Sequence, residues 1–273
     1  MLLHRILTAL LLLPLVIALV LYLPQVGFAL ALAAVILLAA SEWTRLAGLT
    51  SPLPRALYLG VMAAGMLGGW FLLSFPDLLL WLFVLTGLGW LVISLKIIRY
   101  HPQKARPAGH TVKLLLGLFV LLPTWIALVR LHGDGIRGPE LVLFTLSLSW
   151  VADTGAYFSG RAWGRVKLAP NVSPKKTWEG VYGALVAVGL WSGLLYWFRP
   201  ESGSPWQLLL LCLLVCLVSV VGDLFESLMK REAGLKDSGN LLPGHGGILD
   251  RIDSLTAVAP VFLLGLLLLG GGG

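Results

Sequence analysis

Cysteine and charge are both scarce in this 273-residue chain. The only two cysteines, Cys212 and Cys216, stand four apart inside an apolar stretch. That spacing puts them on one helix face, where packing rather than a disulfide framework is expected. Charged residues make up 12% of the chain and hydrophobic residues 58%, whereas soluble domains carry about one quarter charged residues. The balance excludes a soluble globular domain and marks an integral membrane protein. No His/Cys cluster argues for zinc, no internal repeat is visible, and the polar insertions are too short for a separate soluble domain. The formal charge of +7 does not require a nucleic-acid partner, because basic loops beside anionic headgroups account for it.

Apolar length is what the chain has in abundance. Runs of about 17 to 22 residues can cross roughly 30 Å of hydrocarbon, and only helices suit runs of that kind. They fall near 6–23, 26–41, 57–75, 78–98, 112–130, 139–159, 178–198, 206–229 and 254–270. The expected fold is an all-α polytopic membrane protein with about nine transmembrane helices. Eight is the alternative, with the segment 139–159 partly re-entrant, because Trp150, Asp153 and Thr154 make its second half polar. Arg5 precedes a long run with no small-residue cleavage pattern after it, so that run reads as the first helix.

Basic residues are retained on the cytoplasmic side of short loops. With nine spans and a cytoplasmic N-terminus, all of the 20 Lys and Arg except Arg130, Arg137 and Arg199 fall on the cytoplasmic side. The C-terminus then lies outside, and the polar loops 153–179 and 223–253 face the cytosol across a cell membrane. Residues 1–110 read as N-terminal transmembrane helices, and 111–273 as the region that carries the chemistry.

A charge inside a membrane span costs about 2.5 to 3.5 kcal/mol on insertion scales and points to function by default. Asp223 and Glu226 are the clearest cases, and with Ser227 and Lys230 they follow the i, i+3, i+4, i+7 spacing of one helix face. The plainer reading is an ion pair between Asp223 or Glu226 and Lys230; the other is that Asp223 binds a cation. Downstream, Gly234, Gly239, Gly244, Gly246 and Gly247 are interleaved with Lys230, Arg231, Lys236 and Arg251. Glycines allow backbone N–H groups to approach an anion, and the cations suit phosphate oxygens. Asp250 and Asp253, three apart, can face one way, and oxygen-only ligands suit a hard ion such as magnesium.

A second polar island runs from Asp153 to Glu179. Its lysines and arginines are explained equally by a positive-inside loop. The segment Ser173, Pro174, Lys175, Lys176, Thr177 with Glu179 is expected to be a helix start with donors gathered at its positive end, a ready anion site. Gly155 and Gly160 read more simply as close helix packing.

These residues resemble the phosphatidate cytidylyltransferase (CDP-diacylglycerol synthase) family in its compact bacterial form. The family's C-terminal signature is filled without a gap by Ser227, Lys230, Arg231, Lys236, Asp237, Gly239, Pro243, His245, Gly246, Gly247, Asp250, Arg251 and Asp253. Gly222-Asp223 with Glu226, Asp153-Thr154, and the segment Ser173 to Thr177 are also similar to the family's. The close resemblance covers roughly 150–255, and the first 110 residues match only as generic apolar spans.

The resemblance implies cytidylyl transfer from CTP to phosphatidate, with magnesium held by Asp223 and Asp250. Asp253, Asp237 or Glu226 would support that ion or hold a second cation of open identity. Lys230, Arg231, Lys236 and Arg251 would contact phosphates, the Gly246-Gly247 turn would bring amides against them, and His245 would donate to one. Asp153, Ser173, Lys175, Lys176, Thr177, Glu179 and Ser227 would help bind CTP or the lipid phosphate. A funnel-like polar cavity open to the cytoplasmic side and a homodimer are further expectations. A CTP-dependent polyprenol kinase is the alternative enzyme. An anion transporter is disfavoured because the polar residues cluster at one membrane side and the halves do not repeat.

Overall fold

The computed structural model describes residues 2–100, 107–198, 204–239, 241 and 246–269. Its helices are α1 (Leu2–Tyr22), α2 (Gln25–Leu46), α3 (Pro52–Leu72), α4 (Pro76–Ile98), α5 (His110–His132), α6 (Gly138–Trp163), α7 (Trp178–Phe198), α8 (Pro205–Glu232), the short α9 (Leu249–Ile252) and α10 (Leu255–Leu268). Proline opens α3, α4 and α8, where its fixed φ suits the first turn and its missing N–H costs nothing. Among the described residues, α2, α3, α4, α5, Gly135–Trp163, α8 and Leu249–Leu268 are long and apolar enough to cross a membrane. The chain is therefore an all-α polytopic membrane protein, with one small antiparallel hairpin, β1 (Lys167–Ala169) and β2 (Ser173–Thr177).

The chain divides into two compact units. The first comprises Met1–Leu79, Arg106–Leu143 and Met229–Asp253. Its core is the packing of α2, α3 and α5 on one another. Polar side chains there are tied to backbone carbonyls: Trp43 Nε1 donates to Lys113 O at 2.7 Å, Trp125 Nε1 to Ala29 O at 3.0 Å, and Tyr58 Oη to Leu114 O at 3.2 Å. In hydrocarbon such bonds replace the water a soluble helix would use. Gly117 of α5 sits directly against Trp43 and Tyr58, so a side chain there would collide with both. Small residues at such crossings are what let membrane helices approach.

The second unit comprises Leu80–Ala105, Phe144–Leu228 and Ser254–Gly273. Trp90 meets Phe225 edge to face at 5.7 Å between ring centres, and Phe144 meets Phe262 at 5.6 Å. A side chain on Gly155 of α6 would come within 2.8 Å of Ala187 Cβ and of Gly183 O on α7, which explains the glycine by close packing. Lys167 pairs with Thr177, and Ala169 with Ser173.

The structure corrects one local expectation. Residues Ser173–Thr177 form a strand, and the helix starts at Trp178. Thr177 Oγ1 accepts from Gly180 N–H at 3.2 Å, the bond of an N-cap. The proline-first signal at Pro174 is overridden because β1 pairs with this segment and Thr177 supplies a better cap three residues later.

Candidate active site

Within the second unit a cavity of about 530 Å³ is lined by Asp153, Tyr157, Arg161, Lys175, Lys176, Thr177, Ser219 and Asp223, among others. That volume lies in the usual range for small-molecule sites, about 300 to 1,000 Å³. Helix α6 supplies Asp153, Tyr157 and Arg161 at i, i+4 and i+8, the hairpin supplies the lysines, and α8 supplies Ser219 and Asp223. Lys176 Nζ lies 2.6 Å from Asp223 Oδ2, while Ser227 Oγ donates to Asp223 Oδ1 at 3.3 Å. Arg161 Nη1 donates to Tyr157 Oη at 2.9 Å. Three cations and two carboxylates therefore share one wall-lined space.

A second polar cluster belongs to the first unit. Lys230 Nζ donates to Asp250 Oδ1 at 2.7 Å, and Gly247 N–H donates to Asp250 Oδ2 at 2.8 Å. Ser238 N–H donates to Asp250 Oδ2 at 3.1 Å. Asp250 thus organises the turn that precedes α9. Gly246 has φ +82° and faces Asp250, a conformation that L side chains rarely adopt. Lys113 Nζ lies 3.6 Å from Glu232 Oε2, which also accepts from Ala108 N–H.

Of the residues expected to bind substrate, Asp153, Lys175, Lys176 and Thr177 line the cavity with Asp223. Ser173 and Glu179 are not among its lining residues; the Glu179 carboxylate accepts from Val166 N–H at 3.1 Å and so anchors the hairpin. Arg231, Lys236, Asp237 and Arg251 are exposed, and Asp253 is half-buried. The Gly247 amide, expected to face phosphate, is directed at Asp250. His245 lies outside the described residues. The ion pairs join Asp223 to Lys176 and Lys230 to Asp250, pairings that helical spacing could not reveal.

Sequence reasoning missed Tyr157, Ser219 and Glu42. Tyr157 had a signal, one turn beyond Asp153 on the same face. Glu42 is 3% exposed and accepts hydrogen bonds from Ser238 Oγ, Ile248 N–H and Leu249 N–H. Its signal was an acid at the end of an apolar run, the pattern that singled out Asp223.

The cytidylyltransferase family model matches residues 3–269. The chain belongs to the cytidylyltransferase family. The cytidylyltransferases it resembles include the phosphatidate cytidylyltransferase of Pseudomonas aeruginosa, 43% identical over 263 residues, with 96% of both chains covered. The phosphatidate cytidylyltransferase of Haemophilus influenzae is 38% identical, covering 96% of this chain and 97% of that one. That of Brucella melitensis is 45% identical over 148 residues, 54% of each chain. The match with the first two runs through the apolar N-terminal helices as well, beyond the 150–255 region where the motifs lie.

Proposed function

We propose that this chain transfers the cytidylyl group of CTP to phosphatidate, releasing CDP-diacylglycerol and pyrophosphate for phospholipid biosynthesis. The observation that carries the reading is the near full-length similarity to the P. aeruginosa phosphatidate cytidylyltransferase. The mixed-charge cavity supports it on chemical grounds.

A phosphatidate phosphate oxygen attacks the α-phosphorus of CTP, the new P–O bond forms, and the bond to the β-phosphate oxygen breaks. The nucleophile is already anionic near neutral pH, so no dedicated base has to remove a proton. The protein's task is to align the groups and offset their charge, as in phosphoryl transfer generally. In the second unit Lys175, Lys176 and Arg161 supply cations around the cavity, and Asp153, Ser173, Thr177 and Ser227 would help bind CTP or the lipid phosphate, with Glu179 contributing through the hairpin it anchors. In the first unit Lys230, Arg231, Lys236 and Arg251 would be the phosphate contacts, with His245 as a further donor, while the Gly247 amide of the expected Gly246-Gly247 donor turn serves Asp250 instead.

Magnesium is usually held by one or two carboxylates together with substrate phosphates rather than by an all-protein cage. Among the described residues no three His, Cys, Asp or Glu side chains gather as a metal cage. Asp223, 28% exposed at the cavity wall, fits a shared ion of that kind. Asp250 and Asp253 are the carboxylates of the first unit that would serve a cation, with Asp237 in support, while in the second unit Glu226 would support Asp223. When bound between these carboxylates and substrate phosphates, such an ion would supply charge neutralisation.

Topology completes the reading: nine spans with residues 1–110 as membrane frame and 111–273 carrying the chemistry, N-terminus and polar loops cytoplasmic, C-terminus outside, cell membrane, and a homodimer. The test is to incubate the purified protein with phosphatidate, magnesium and cytidine-labelled CTP and separate the lipids. Labelled CDP-lipid with equimolar pyrophosphate is the expected result. No CTP turnover in folded protein would overturn the reading.

A further inference from the structure

Glu42 lies near the end of α2, far in sequence from any motif, yet it is only 3% exposed. Its carboxylate accepts from Ser238 Oγ at 3.2 Å, Ile248 N–H at 3.1 Å and Leu249 N–H at 2.8 Å, all on one segment. Gly239 and Gly247 lie flat against its oxygens, and a Cβ on either would overlap them. The same segment directs Ser238 N–H and Gly247 N–H onto Asp250, which also takes Lys230. Burying a carboxylate is costly unless its hydrogen bonds are made, and here all three of these bonds come from the residues that flank Asp250 and hold it.

We propose that Glu42 is a positioning residue for the cytidylyl transfer. It fixes Ser238, Ile248 and Leu249, and through them the carboxylate of Asp250 and the ammonium of Lys230. The inference rests on the functional reading above. It also gives Gly239 and Gly247 a reason to lack side chains that is independent of phosphate binding.

The test compares wild-type protein with Glu42→Gln, Asp250→Asn, the double variant and Gly239→Ala. Turnover and amide hydrogen exchange are both read in detergent. Glu42→Gln keeps the size but turns one acceptor into a donor facing other donors. Turnover should fall about 10- to 100-fold, the scale of a misplaced reactive group. Exchange should quicken in peptides covering 236–252 and stay unchanged in α4 and α7. The double variant should be no slower than Asp250→Asn alone, because residues acting as one unit are not additive. Gly239→Ala, which presses on the same carboxylate without removing its charge, should quicken exchange in the same peptides. Wild-type exchange in Glu42→Gln, or losses that multiply in the double variant, would overturn the proposal. So would loss of protection throughout α4 and α7 in both Glu42→Gln and Gly239→Ala, which marks a merely structural role. If the wild-type protein transfers no cytidylyl group, the functional reading fails, while the exchange data still decide whether Glu42 holds the Asp250 turn.

Discussion

Lys176 Nζ sits 2.6 Å from Asp223 Oδ2, joining the hairpin to helix α8 across one cavity. The two side chains are 24% and 28% exposed, and a pair this open contributes only about 0 to 1 kcal/mol to stability. In the proposed reaction the pair would hold a cation and a carboxylate ready in the same space.

Asp223→Asn and Lys176→Met should therefore fold and melt close to wild type while losing turnover by about 10² or more, the cost of removing one preorganised charge. Thermal melting in detergent and turnover at saturating magnesium check this. Near-normal turnover in both variants would remove the pair from the reaction.

The Lys230–Asp250 pair behaves differently, because its side chains are only 13% and 8% exposed. Asp250→Ala removes the carboxylate that accepts from the Lys230 ammonium and from two backbone N–H groups, and should cost about 3 to 5 kcal/mol. Replacing both partners with Met and Leu should recover part of that stability but no activity. Melting curves of the single and double variants separate the two effects.

Gly246→Ala places a Cβ 2.6 Å from Asp250 Oδ2 at φ +82°. It should lose about 1 to 2 kcal/mol for the left-handed backbone alone, more for the collision, and turnover with it. Gly234→Ala has φ +68° but open space around it, and should lose only the backbone contribution. Comparing their unfolding midpoints tests whether the turn is shaped around Asp250.

The apolar runs were legible because hydrocarbon thickness dictates their length; the run expected at 178–198 is α7, Trp178–Phe198. The hairpin was not, since Lys167–Ala169 is too short to show a strand pattern and pairs through register. Asp223 and the lysines of β2 could be named from residue type, and Asp153 from its depth in a span. Their partners could not, because Lys176 meets Asp223 across 47 positions of sequence. Glu42 is not legible as a partner of that turn because its donors lie about 200 residues away.

Topology gives a separate prediction. With Cys212 and Cys216 buried, single cysteines introduced at the exposed positions Lys236 and Arg137 can be labelled without background. Lys236→Cys should react with an impermeant maleimide only in inside-out vesicles, and Arg137→Cys only in right-side-out vesicles. Labelling of both from one side would contradict the nine-span orientation.

Cytidylyl transfer breaks CTP between its α- and β-phosphates. Parallel reactions with phosphatidate and CTP labelled at either the α- or the γ-phosphorus test it most directly. The expected result is α-label in chloroform-soluble lipid and γ-label in pyrophosphate. Label from the γ-position in lipid, with CDP released, would contradict it and make the protein a CTP-dependent lipid kinase.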